Sequence, residues 1–136
     1  HTAELDQELS ARAGTDVRAS FTPHLLPMNR GILSTVYGEL APGVRIEEAQ
    51  AVLKRFAAQE TFVVHAEGST PVATRFVRGT NRVMVDLKAD RRNGSFILLS
   101  AIDNLTKGSS GQAFQNFNVA FGLEETTGLH LVTAFP

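Results

Sequence analysis

A histidine stands between two prolines in the segment Phe21 to Leu33, FTPHLLPMNRGIL, with an arginine and a glycine close behind it. Proline fixes its own φ and pushes the residue before it out of the helical region, so His24 belongs to a stiff, extended stretch. An imidazole titrates near neutral pH and serves as a general acid or base. The guanidinium of Arg30 suits a carboxylate or a phosphate. The same pattern also suits a plain connection between strands, with His24 an ordinary loop residue. Local residues do not separate the two readings.

A second constellation runs from Ser100 to Asn116, SAIDNLTKGSSGQAFQN, where Gly108 and Gly111 bracket two serines ahead of a helical pattern. Free backbone N–H groups and the positive end of a helix there would face an anion or a polar ligand. Ordinary capping of a helix entry explains the pattern as well. Lys107 and Asn104 either point at the same ligand or are solvated. The segment lacks both the Gly-Lys-Ser/Thr ending of a phosphate-binding loop and the spaced glycines of a dinucleotide fingerprint. A third cluster, Arg75, Arg78 and Arg82, is either a solvated face or a grip for an acidic substrate. His65 and His130 lie in strand-like settings, FVVHAE and GLHLVT, on what reads as a solvent face.

These groups need elements to hold them. HTAELDQEL opens a helix with Leu5, Leu9 and Ala13 on one face, Thr2 as its cap and Gly14 as its stop. DVRASF alternates loosely and predicts a strand leading into the His24 segment. GILSTVYGEL predicts a second strand, APGV a turn, and residues 45–59 an amphipathic helix with Ile46, Ala49, Leu53, Phe56 and Ala57 in one stripe. TFVVHA is a short strand, and two more strands flank an Asn93-Gly94 hairpin turn. Residues 109–122 carry Ala113, Phe114, Phe117 and Phe121 on one helical face, with a serine cap ahead and Gly122 behind. With no repeat or linker, residues 1–136 read as one α+β domain with a mixed, largely antiparallel sheet.

Composition narrows the function classes. The chain has 136 residues, 43% of them hydrophobic and 20% charged, as expected of a globular domain that can bury a core. A formal net charge of −1 counts against a general nucleic-acid surface. No apolar run approaches a membrane span. Without cysteine there is no disulfide, no thiolate zinc site and no thiol nucleophile, and no metal site is expected. The absence of cysteine fits a cytoplasmic setting.

HTAELDQEL, FTPHLLPMNRGIL, SAIDNLTKGSSGQAFQNFNVAFGL and the later ETTGL together resemble the C-terminal half of the N-acetyl-γ-glutamyl-phosphate reductases. These are relatives of the aspartate-semialdehyde and glyceraldehyde-3-phosphate dehydrogenases, and the resemblance implies a C-terminal domain of that fold. It implies NADPH-dependent reduction of N-acetyl-glutamyl 5-phosphate to N-acetyl-glutamate 5-semialdehyde with release of phosphate. In that family a cysteine thiolate attacks the acyl phosphate, and hydride then reduces the resulting thioester. His24 matches the family's acid/base histidine. Arg30 matches a position suited to the substrate's acidic group, and His1 and Glu4 match the start of a helix beside the substrate site. Asn104, Gly108 and Gly111 correspond to the stretch that meets the nicotinamide end of NADP(H).

The resemblance further implies that the catalytic cysteine and a nucleotide-binding domain precede this segment in a longer chain. The missing domain would bind most of the cofactor, and these 136 residues alone are expected to be inactive. The sheet is expected to supply a homodimer or homotetramer contact. The phenylalanine helix is expected to dock on the nucleotide-binding domain and, in the chain by itself, to fold back onto the sheet or pack on a second copy. Two rival readings remain. One is the aminoadipyl-phosphate reductase of lysine biosynthesis, whose substrate is one methylene longer, a difference of only about 1–3 kcal/mol in recognition. The other is a non-catalytic assembly module, against which His24, Arg30 and Asn104 weigh.

Overall fold

The computed structural model describes residues 1–92 and 94–129. The chain runs α1 (Thr2–Ala13), β1 (Ile32–Glu39), α2 (Ile46–Gln59), β2 (Val63–His65), β3 (Val83–Ala89), β4 (Ser95–Ile102) and α3 (Gly111–Ala120). A short 3₁₀ turn covers Thr74–Phe76, and a π-helical turn, Thr106–Ser110, leads into α3. The four strands form one sheet in the order β1-β4-β3-β2. β4 pairs antiparallel with both β1 and β3, and β2 runs parallel to β3. The architecture is the α+β, mixed and largely antiparallel one read from the sequence.

Local chemistry accounts for most elements. Gly94 at the β3–β4 hairpin takes φ +75°, the left-handed conformation that such turns need; Asn93 lies outside the described residues. Glu48 accepts from the Arg45 backbone N–H at 3.2 Å and so caps α2, which is packed on β2 and β3. Its stripe is half-realised: Ala57 is buried, but Phe56 remains half-exposed. The main core joins Ala66, Val77, Met84 and Ala101, with Val72 and Phe76 against it.

Two expectations at the N-terminal end are corrected. His1, not Thr2, is the N-cap of α1, and no side chain bonds the helix entry. The DVRASF stretch forms no strand. Its backbone is claimed by α1: the Val17 N–H donates to Ser10 Oγ at 2.9 Å and the Ala19 N–H to Asp6 Oδ1 at 2.8 Å. Side-chain oxygens one helix away thus take the donors that a strand neighbour would have used.

Candidate active site

The end of β4 and the start of β1 lie side by side, because Ile102 pairs with Ile32. The sequence that follows β4 therefore meets the sequence that precedes β1. Asp103, 1% exposed, is the meeting point. Its Oδ2 accepts from the Gly79 N–H at 2.6 Å and pairs with Arg30 Nε at 2.7 Å. Its Oδ1 accepts from the N–H groups of Leu105 and Thr106 at 2.9 and 3.0 Å. Burial alone would raise the carboxyl's pKa, but the Gly79 N–H, Arg30 and the two further N–H groups outweigh it and hold the group below the usual carboxylate range. Asp103 was missed by the sequence reading. An aspartate directly after an apolar strand and before Asn-Leu-Thr was the available signal, since that composition makes an Asx turn.

Arg30 lies on top of this carboxylate with about a third of its side chain exposed, and its Nη2 also donates to Thr106 Oγ1 at 3.1 Å. Asn104 joins the same cluster, its Oδ1 accepting from the Gly31 N–H at 2.7 Å. Gly31 explains the glycine after Arg30: φ is +109°, and a Cβ there would stand 2.7 Å from Thr74 Cγ2. The arginine cluster of residues 75–82 contributes the Gly79 backbone to this site. Arg75 instead lies over the Phe76 ring, 4.8 Å from its centroid, and Arg78 is solvated.

His24 occupies an irregular, exposed stretch, as its flanking prolines require. Its Nδ1 lies 3.1 Å from the Thr22 carbonyl oxygen. A carbonyl only accepts, so that bond places a proton on Nδ1 and leaves Nε2 as the ring nitrogen available to a partner. His1 Nδ1 and Glu4 Oε2 approach to 3.3 Å at the exposed start of α1, and the His1 ring stands edge-on to Phe21 at 6.5 Å. The structure thus brings Arg30, Asn104 and Thr106 together, and sets His1 and Glu4 beside the segment that leads to His24. Of the other histidines, His65 is mostly buried, with Nε2 3.7 Å from Asp86, and His130 lies outside the described residues.

The loop between Gly108 and Gly111 departs from an anion cradle. The chain enters α3 through a kink at Ser109, whose φ of −151° and ψ of −105° are not helical, yet the N–H groups of Gly108, Ser110 and Gly111 are spent on the carbonyls of Asp103, Leu105 and Thr106. Ser110 also turns its hydroxyl back to the Leu105 carbonyl at 2.8 Å instead of capping α3. Gly111 is buried, and a Cβ there would approach Thr106 Cγ2 to 2.9 Å. Lys107 is not solvated either. Its Nζ donates to Gln115 Oε1 at 2.7 Å and lies 5.3 Å from the Phe62 ring centroid. Burial lowers its pKa, partly opposed by Glu125 and Glu60.

A family profile described as the semialdehyde dehydrogenase dimerisation domain matches residues 1–104, which include His24, Arg30 and Asp103. The chain belongs to that family. Curated relatives named N-acetyl-gamma-glutamyl-phosphate reductase match it along its whole length. One from Prochlorococcus marinus (strain NATL2A) is 46% identical, one from Pelobacter propionicus 50%, and one from Geobacter sp. (strain M21) 48%. The chain spans only 38–39% of the length of these relatives.

Helix α3, which follows the residues matched by the family profile, is inverted relative to a usual surface helix. Its polar face points inward: Gln115 accepts from Asn81 Nδ2 at 2.8 Å and donates to Glu125 Oε1 at 2.6 Å. Asn118, 2% exposed, donates to the carbonyls of Glu125 and Thr127 at 3.0 and 2.9 Å. The apolar face points outward, with Phe114, Phe117 and Phe121 at 60%, 51% and 70% exposure and the last two rings 4.5 Å apart. Of the two expected arrangements, folding back onto the sheet is not adopted, because Asn81, Glu125 and the carbonyl of Thr127 already occupy the inward face.

Proposed function

We propose that this chain is the substrate-binding and dimerisation part of an N-acetyl-γ-glutamyl-phosphate reductase, a cytoplasmic enzyme of arginine biosynthesis. The observation that carries the reading is the full-length match to curated reductases at about half identity, which covers the segments bearing His24, Arg30 and Asn104. The reaction needs a thiolate that this cysteine-free chain does not hold, so the nucleophile comes from the rest of the longer protein. His24 would take the thiol proton on Nε2, since Nδ1 is engaged by the Thr22 carbonyl, and later return a proton as the product forms. Arg30 would bind the substrate's phosphate or carboxylate through the N–H groups that Asp103 and Thr106 leave free.

NADP(H) would supply the hydride. Asn104 fits a contact with its amide end, since Oδ1 is engaged with Gly31 and the Nδ2 donors are unclaimed among the described residues. The Gly108 and Gly111 backbone N–H groups are already bonded, so their part would be close packing; the pyrophosphate would be held outside this chain. The outward phenylalanine face of α3 would be covered by the remainder of the longer protein, the nucleotide-binding domain in our reading. Such an apolar surface is uncommon on a chain that works alone.

Full-length protein should oxidise NADPH when given N-acetylglutamyl phosphate, and the 136-residue chain should not. Turnover by the chain alone would overturn the division of labour. A full-length protein that accepts only the longer aminoadipyl homologue would move it to the lysine route, and one that turns over neither would favour the assembly module. Two further outcomes follow. Arg30→Lys should raise KM for the acyl phosphate with little change in kcat, because an ammonium keeps the charge but loses the planar fork; an unchanged KM removes Arg30 from the substrate site. Phe117→Ser should destabilise the full-length protein by about 1.5–3 kcal/mol, the scale of a buried phenylalanine. An equal, small effect on full-length protein and on this chain would leave α3 uncovered.

A further inference from the structure

Asp103 makes no use of its charge at the surface, yet it is the most heavily bonded carboxylate among the described residues. One side chain gathers donors from three separate stretches: Arg30 ahead of β1, Gly79 ahead of β3, and Leu105 with Thr106 after β4. The backbone donors alone would fill most of its lone pairs. Arg30 is the partner that reaches it through a side chain.

The guanidinium has five N–H donors in a rigid fork. Nε lies 2.7 Å from Asp103 Oδ2 in an ion pair, although its N–H is not aimed at that oxygen, and one Nη2 hydrogen is donated to Thr106 Oγ1 at 3.1 Å. The ion pair and the Thr106 bond together restrain the guanidinium. They leave the two Nη1 hydrogens and the second Nη2 hydrogen unclaimed among the described residues, and the side chain is about a third exposed. A free arginine side chain would sample many rotamers, whereas one held at both Asp103 and Thr106 presents its remaining donors in a narrow range of directions.

We infer that Asp103 is a positioning residue for the reductase, which together with Thr106 clamps Arg30 so that its remaining donors receive the acidic group of the substrate. The inference rests on the proposed role of Arg30 in binding substrate. Asp103 itself would touch no substrate atom. Because the same carboxylate holds the Leu105 and Thr106 N–H groups, it also ties Arg30 to the segment that bears Asn104, so the two ligand-facing groups keep a common frame.

The test is steady-state kinetics of the full-length protein with NADPH and N-acetylglutamyl phosphate. Asp103→Asn should raise KM for the acyl phosphate by about tenfold or more, the scale set by a misplaced binding group, while KM for NADPH stays within about twofold. Thr106→Val keeps the Asp103 cluster and removes only the Nη2 partner; it should raise the same KM by about threefold to tenfold. It carries the test should Asp103→Asn fail to fold. In an Arg30→Ala background both substitutions should add nothing further to KM. Added guanidinium ion should partly rescue Arg30→Ala, and should fail to do so once Asp103→Asn is present.

An unchanged acyl-phosphate KM in Arg30→Ala would defeat the role assigned to Arg30 itself. A raised KM in Arg30→Ala, with normal values in Asp103→Asn and Thr106→Val, would defeat the clamp and leave that role standing. So would additive effects in the double variants, or equal rescue by guanidinium with and without the Asp103 carboxylate.

Discussion

His24→Asn in the full-length protein is expected to lower kcat by about 10²–10⁴, the usual range for loss of a positioned general base. The affinity for NADPH should be nearly unchanged, because His24 lies on the extended stretch before β1, outside the segment expected to meet the cofactor. Asparagine keeps a polar side chain of similar reach but has no titratable nitrogen. In the structure the Thr22 carbonyl holds His24 Nδ1 at 3.1 Å, so the lost function is that of Nε2. Pro23 and Pro27 limit how far the ring can stray, and a fixed distance to a thiol is what proton transfer requires. The measurement is single-turnover reduction alongside cofactor titration. A loss smaller than tenfold, about 1.4 kcal/mol, would make His24 a loop residue shaped by its prolines.

The largest expected effect on stability belongs to Asp103→Ala. The substitution leaves the Gly79, Leu105 and Thr106 N–H groups and the half-buried Arg30 guanidinium without their acceptor. Breaking a buried, hydrogen-bonded charge pair on one side typically costs about 3–5 kcal/mol. The contribution should depend on pH in a definite direction. Burial pushes the carboxyl upward, but the Gly79 N–H, Arg30 and the Leu105 and Thr106 N–H groups together bring it below its ordinary value. The unfolded chain therefore takes up a proton at higher pH than the folded one. Stabilisation from Asp103 is complete above the ordinary aspartate range, near about 3.9, and is lost as pH falls from there through the lower folded value. Denaturant unfolding of the parent and the alanine variant at neutral pH and near pH 3 checks this. The gap between them should narrow in acid, and a gap that stays constant would show that the charge of Asp103 is not what holds the cluster.

The elements whose cause is local could be read directly from residues. Gly94 at a tight turn between alternating apolar runs determined β3 and β4, the 3.6-residue stripe determined α2, and Gly14 marked the end of α1. His24 and Arg30 stood out for the same reason, since proline stiffness and an arginine followed by glycine are properties of neighbours in the chain. DVRASF had the alternation of a strand, yet Asp6 and Ser10 took its backbone donors. A strand needs a partner that no local pattern supplies. Asp103 was legible only as a possible turn residue, because its charged partner Arg30 is distant in sequence and meets it only when Ile102 pairs with Ile32.

Helix α3 divides the two kinds of knowledge most sharply. Its sequence determined that Phe114, Phe117 and Phe121 share one face. Which face turns inward was a tertiary decision. Asn81, Glu125 and the carbonyl of Thr127 offer bonded partners to the amides of Gln115 and Asn118, and a buried amide that is fully bonded costs little where an unbonded one would cost much. The rings, with no comparable acceptor to displace, are left to the outside of the domain. Periodicity sets the angle between the two faces of a helix, but only the groups packed against it choose which one is buried.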